Sequence, residues 1–174
     1  MSESSVLARV HALSSDDRLA IMKAYVGERG NRRHRPGRAL ERTDYRFDVL
    51  SDYGGFRDLQ RHRLATIEWQ TLGPRHGYVR PSSLVEAGVA DRFDEAMETS
   101  RELWGALSEQ FPDRAAYAVS LAHRIRYVMQ FNAREAMHLL ELRSSVQGHP
   151  GYRAVAQRMH RLIDEEAGHP RSRA

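Results

Sequence analysis

The chain has no cysteine. That excludes disulfides, thiolate zinc sites and iron–sulfur clusters. It also excludes every mechanism that runs through a cysteine nucleophile. Lysine is nearly missing too: Lys23 is the only one, and the rest of the 27 basic residues are arginines. A GC-rich coding bias is the simplest account of that preference. Arginine's planar fork also suits phosphates and carboxylates. No apolar run approaches the roughly 18 residues that a membrane span needs, so no membrane partner is expected. Met1-Ser2-Glu3-Ser4-Ser5 lacks the basic start and apolar block of a secretory signal, and a cytoplasmic location is the expectation. Internal repeats and low-complexity linkers are also lacking.

What remains is an ordinary globular composition, 41% hydrophobic and 29% charged over 174 residues. That length supports a real core, and a single domain over 1–174 is expected. The net charge of +4 is modest and spread along the chain. It suits an anionic small ligand and does not demand nucleic acid.

Along the chain, Ser14-Ser15-Asp16-Asp17 reads as a helix cap followed by acids in the first turn. The helix it opens carries Leu19, Ile21, Met22 and Tyr25 and stops near Gly27 to Gly30. Asn31 to Arg38 is a basic loop. Thr43 to Leu50 alternates, with Tyr45, Phe47 and Val49 on one side, and predicts a strand. Gly54-Gly55 opens a short helix reaching Arg61, and Leu64 to Leu72 is β-prone until Gly73-Pro74. Tyr78 to Gly88 reads as loop with a helical turn. Asp91 to Gln110 spaces Phe93, Ala96, Met97, Leu103, Trp104 and Leu107 as a helix does. Asp113 to Gln147 contains no Gly or Pro, which predicts helix with a break near Ser120 to His123. A last helix spans Tyr152 to Glu166. The expected class is α+β, helix-dominated.

Two segments carry chemistry. Arg61-His62-Arg63 lies between Leu59 and Leu64-Ala65-Thr66-Ile67. A solvated patch has no need of apolar flanks, whereas a half-buried cradle for phosphates does. The second is Asn132-Ala133-Arg134-Glu135-Ala136-Met137-His138-Leu139-Leu140-Glu141-Leu142-Arg143. Asn132, Ala136, Leu139 and Arg143 share one helical stripe. A buried helix must satisfy its polar groups. Internal pairing of Glu135 with Arg134 and of Glu141 with Arg143, plus a core histidine, would do so; so would a ligand.

Together, the triplet, the upstream Leu40-Glu41 and the downstream segment, in that order, resemble the flavin-dependent thymidylate synthase family from about Ala20 to Ile163. The resemblance implies an α+β fold with a small antiparallel sheet and a homotetramer with active sites at subunit interfaces. It also implies C5 methylation of a uridylate using FAD, NADPH and methylenetetrahydrofolate. It places Arg61, His62, Arg63, Glu41, Asn132 and His138 at the flavin. It places Arg61, Thr71 and Arg143 at the nucleotide, with Arg143 the catalytic group on the pyrimidine; Trp69, at a substrate position, either stacks on a base or flavin or is a strand residue facing the core. No metal is implied. The absence of cysteine fits independently, because thiolate addition at C6 of the uracil ring is unavailable to this chain.

The departures are one-sided. Trp69 stands where the family has a substrate-binding glutamate, Thr71 replaces a serine, and Gly73 and Ala116 replace arginines. Asp58 replaces a glutamine three residues before the triplet, and Pro36-Gly37-Arg38 replaces a Gly-His pair, with His34 nearby. Glu68 cannot substitute at position 69, since a one-residue shift along a strand changes the face. Arg75, His76, Arg80, Arg124 and Arg126 are candidate phosphate groups. The flavin side persists and the nucleotide side changes, as in relatives that methylate UMP as well as dUMP in polyoxin-type antibiotic biosynthesis. The alternatives are a housekeeping dUMP-specific enzyme, a non-catalytic paralogue and a di-iron helical protein built on Glu135-x-x-His138 and Glu166-x-x-His169.

Overall fold

The computed structural model describes residues 1–167. Seven α-helices and three strands appear among them: α1 Glu3–Ala12, α2 Ser15–Val26, β1 Asp44–Asp52, α3 Tyr53–Leu59, β2 Thr66–Trp69, α4 Ser82–Glu86, α5 Ala90–Gln110, β3 Arg124–Asn132, α6 Ala133–Arg143 and α7 Pro150–Ala167. The helix-dominated α+β class is thus observed. The sheet has order β1-β3-β2, with both pairings antiparallel.

Period-2 alternation builds the core. Ile125, Tyr127, Met129 and Phe131 of β3 are buried on one face. Tyr45, Phe47 and Val49 of β1 and Ile67 of β2 join them from the flanking strands. Phe56 and Leu59 of α3, Ala136, Leu139 and Leu140 of α6, and Ala156 and Met159 of α7 cover that face. The opposite face is polar; there Arg126 on β3 pairs with Asp48 on β1, its Nε donating at 2.9 Å.

The central strand corrects the sequence reading. Asp113 to Gln147 is not a broken helix. It holds a short turn at Ala115–Ala118, then β3, then α6. Strand passes to helix at Asn132, whose Oδ1 accepts the Glu135 N–H at 2.9 Å. Asn132 is therefore an N-cap rather than a member of the helical stripe. The other boundaries agree to within a few residues, although β2 is only the centre of the β-prone stretch. The cap at Ser14 is as expected, its Oγ accepting the Asp17 N–H at 3.1 Å. Helix α1 was not foreseen from the sequence. Neither α1 nor α2 buries a residue.

Gly37 shows why the loop before β1 has its composition. A Cβ there would lie 2.2 Å from the Tyr25 hydroxyl oxygen. That hydroxyl accepts the Ala39 N–H at 2.7 Å, tying α2 to the loop.

His123 yields a stability prediction. It is 1% exposed and its Nδ1 lies 3.0 Å from the Ser120 hydroxyl. Burial pushes its pKa below the ordinary 6.5, outweighing an opposing hydrogen bond to the Ser120 backbone. The folded state therefore favours the neutral ring, and the unfolded chain takes up a proton first as pH falls. Stability from this group should be complete above pH 6.5 and decline below it, towards the lower folded pKa. Urea midpoints measured at pH 7.5 and 5.5 should differ less in His123→Gln than in the parent.

Candidate functional site

Helix α3 delivers the triplet. It is capped by Asp52, whose Oδ1 accepts the Gly55 N–H, and its Phe56 and Leu59 face the core. The turn that follows is tight: the His62 N–H reaches the Leu59 carbonyl at 3.2 Å and the Ala65 N–H reaches the His62 carbonyl at 3.1 Å. Three consecutive side chains therefore separate. His62 points inward, with 4% of its side chain exposed. Arg61 and Arg63 are exposed and make no ion pair among the described residues. Beside them, the Gln60 Oε1 is buried and accepts no hydrogen bond. A buried acceptor without a donor costs about 1–3 kcal/mol.

His62 joins two elements. Its Nδ1 lies 2.8 Å from Oε1 of the buried Glu135. Its Nε2 accepts from Arg143 Nε at 3.0 Å. A ring nitrogen that accepts cannot carry a proton, so the pattern assigns the Nδ1–H tautomer. Arg143 continues the chain: Nη2 donates to the Asp58 carbonyl at 2.7 Å, and its guanidinium carbon sits 5.2 Å from the centre of the Tyr152 ring. The triplet and the end of α6 thus meet within one chain, through His62 and Arg143. The His138 ring centre is 5.8 Å from that of His62.

The pairs proposed within α6 do not form. Glu135 bonds His62 rather than Arg134, and Glu141 accepts from Arg29 at 2.6 Å rather than from Arg143. Arg134 donates to Glu41 at 2.7 Å and to the Pro36 carbonyl at 3.0 Å. Glu41 thereby reaches the start of α6. Arg38 first, then Arg134, hold its carboxyl below the ordinary carboxylate range against the effect of burial. His34, the suggested stand-in, instead bonds within its own loop to Gly30 and Asn31.

On the nucleotide side, Trp69 pairs with Tyr127 in the sheet register and Glu68 with Val128, so the two side chains lie on opposite faces. Trp69 is 56% exposed, its ring centre 5.7 Å from that of Phe56. Thr71 is exposed just beyond β2. At Gly73 a Cβ would meet the Trp104 ring at 3.3 Å, so any side chain there requires Trp104 to give by a few tenths of an ångström. Of the suggested phosphate groups, Arg126 is spent on Asp48 and Arg80 on Asp94. Arg75 donates to the Thr71 carbonyl at 3.3 Å and His76 is 3.0 Å from Gln70. The Arg124 side chain has no partner among the described residues.

A groove of about 1530 Å³ lies between α2, α6 and α7. Ala136, Met137, Leu140 and Glu141 of α6 line it, and none of the sequence-assigned site residues does. It uses the side of α6 away from His62. Ligand atoms of His62, Glu135 and His138 lie within 4.8 Å of one another, a grouping the sequence reading missed. A cation there would sit beside the Arg143 guanidinium and compete with it for His62, so His62 and Glu135 are better read as a hydrogen-bonded pair with His138 nearby. Of the two Glu-x-x-His pairs, the second ends at His169, outside the described residues.

On this α+β frame a buried histidine is thus flanked by two exposed arginines without ion pairs among the described residues and bonded to a third from the C-terminal end of α6. The family model described as "thymidylate synthase complementing protein" matches residues 7–169. The chain belongs to that family, the flavin-dependent thymidylate synthases. It is 41% identical over 141 residues to a UPF0159 protein of Chlamydia pneumoniae, a match covering 81% of this chain and 27% of the relative. It is 39% identical over 144 residues to a UPF0159 protein of Chlamydia muridarum, covering 83% and 27%. A UPF0159 protein of Thermoplasma acidophilum is 33% identical over 162 residues, covering 92% and 32%. The chain therefore spans only about a third or less of the length of these curated relatives.

No helix is long and apolar enough to cross a membrane among the described residues.

Proposed function

We propose that this chain, as a single domain assembled with copies of itself into a homotetramer, holds FAD and methylates C5 of a uridine monophosphate. NADPH is the reductant and methylenetetrahydrofolate the one-carbon donor. The observation that carries the reading is the bond from Arg143 to His62, which joins the triplet to the arginine assigned to the pyrimidine.

The residues suit the groups they are asked to hold. Arg61 and Arg63, unpaired, would meet the phosphates of FAD. The orphaned Gln60 Oε1 offers an acceptor to a bound donor. Asn132 spends its Oδ1 on the helix cap and keeps its amide N–H groups for a ligand. Glu41 and His138 complete the flavin side. Carrying a methylene to a methyl requires two electrons, and FAD, when bound, is the group that passes them on without an enzyme thiol. The protein binds and polarises. Arg143 stabilises negative charge that develops on the uracil carbonyl. Trp69 presents an exposed face for stacking and Thr71 a hydroxyl. Apolar side chains left exposed on α1 and α2, among them Leu7, Val10, Ile21 and Tyr25, suit burial against a second copy.

The altered nucleotide side favours a specialised pathway in which UMP is accepted as well as dUMP. Purified protein should be yellow and should form 5-methylated nucleotide from UMP, dUMP or both when given NADPH and methylenetetrahydrofolate. Turnover of dUMP alone would favour the housekeeping reading. A colourless protein that turns over neither, or one loaded with iron, would refute the proposal.

A further inference from the structure

We propose that Glu135 is a positioning residue: acting through His62, it sets where the Arg143 guanidinium points. The nucleotide role of Arg143 rests on the function proposed above, but the geometry does not. Glu135 is 5% exposed, and a buried carboxylate without a donor is strongly disfavoured. Its side-chain partner is His62 Nδ1 at 2.8 Å. The carboxylate can only accept, so it fixes the proton on Nδ1. That leaves a lone pair on Nε2, which meets Arg143 Nε at 3.0 Å. In the other tautomer two N–H donors would oppose each other across that gap. Glu135 thus decides whether His62 attracts Arg143 or repels it.

The neighbours leave this assignment to Glu135. His138 is exposed and stands 5.8 Å away, ring centre to ring centre. The Asp58 carboxylate is 3.6 Å from Arg143 Nη1, and the Asp58 carbonyl holds Nη2. Both Asp58 groups grip the far end of the guanidinium and say nothing about the His62 proton. Asp58 and His62 together fix the plane of the fork, and so the direction of the N–H groups left for a ligand. The site is therefore set by an acid that need not touch the ligand.

The test is Glu135→Leu and Glu135→Gln in the full chain, read by nitrogen-15 NMR of the His62 ring and of the Arg143 Nε–H. The parent should show His62 as the Nδ1–H tautomer and a slowly exchanging Arg143 Nε–H. In Glu135→Leu the single tautomer should be lost, Arg143 Nε–H exchange should accelerate at least about tenfold, and the Kd for UMP should rise about tenfold. Glu135→Gln keeps an oxygen acceptor and should fall between the two. A folded Glu135→Leu that keeps both NMR signatures overturns the proposal. Should Glu135→Leu not fold, Glu135→Gln decides alone: signals identical to the parent overturn the proposal, and an upfield Nδ1–H with faster Arg143 exchange supports it. The NMR signatures need no ligand, so they stand or fall separately from uridylate methylation.

Discussion

Arg143→Ala is expected to weaken binding of UMP or dUMP by about ten- to a hundredfold while the purified protein stays yellow. Hydrogen bonds to charged groups contribute about 1.5–3 kcal/mol each, and the pyrimidine would lose its charged donor outright. Titration calorimetry with each nucleotide measures the loss, and the visible spectrum reports the flavin. The test is demanding because Arg143 is also bonded to His62. Its removal leaves the His62 Nε2 without a donor and the Asp58 carbonyl without the guanidinium. If flavin departs with the nucleotide, the triplet and Arg143 are one site rather than two halves. Arg143→Lys sharpens the comparison. Lysine keeps the charge but has no fork to bond His62 and Asp58 at once, so nucleotide affinity should recover only in part.

Much of the frame could be read from local pattern. The cap at Ser14, the alternation in β1 and the helical spacing in α5 each depend on residues a few positions apart, and each appears where it was expected. The central strand carries the same kind of signal. Ile125, Tyr127, Met129 and Phe131 alternate with Arg126, Val128 and Gln130, and the first four are buried. The alternation was masked because β3 passes into α6 without a Gly or Pro, the junction being made by the Asn132 cap. A run free of breakers indicates continuous secondary structure, not which kind.

The partners of the charged groups were not legible, for a different reason. Arg29 with Glu141, Arg134 with Glu41 and His62 with Glu135 are separated by 112, 93 and 73 positions. Neighbours along a helix can be inferred from spacing, but these pairs depend on how the sheet brings α3, α6 and the loops together. On spacing alone Glu135 has Arg134 as its internal partner; it is instead the buried acid that bonds His62 of the triplet. The signal available was its place in α6: Glu135 lies next to Ala136 and four residues before Leu139, both core residues, so a carboxylate there needed a buried donor.

Phe56→Ala should cost about 3–5 kcal/mol of folding stability, a large share of the roughly 5–15 kcal/mol that a domain holds. Phe56 is 1% exposed, and its ring centre lies 4.7 Å from Tyr127 and 5.7 Å from Trp69. Alanine would leave a void between α3 and the middle of the sheet, where three packed strands can close only partly around it. Urea unfolding of the parent and variant gives the difference directly. The consequence should reach the site, because Phe56 stands six residues before His62 on the helix that delivers the triplet, and Trp69 leans on the same ring. Phe56→Leu, which keeps most of the volume, separates the two effects. It should lose far less stability than alanine, yet still free Trp69 from its aromatic neighbour. If Trp69 stacks on a bound base, nucleotide affinity should then fall in Phe56→Leu while flavin binding holds. If Trp69 is only a strand residue, both should hold, and the damage in Phe56→Ala is that of the core alone.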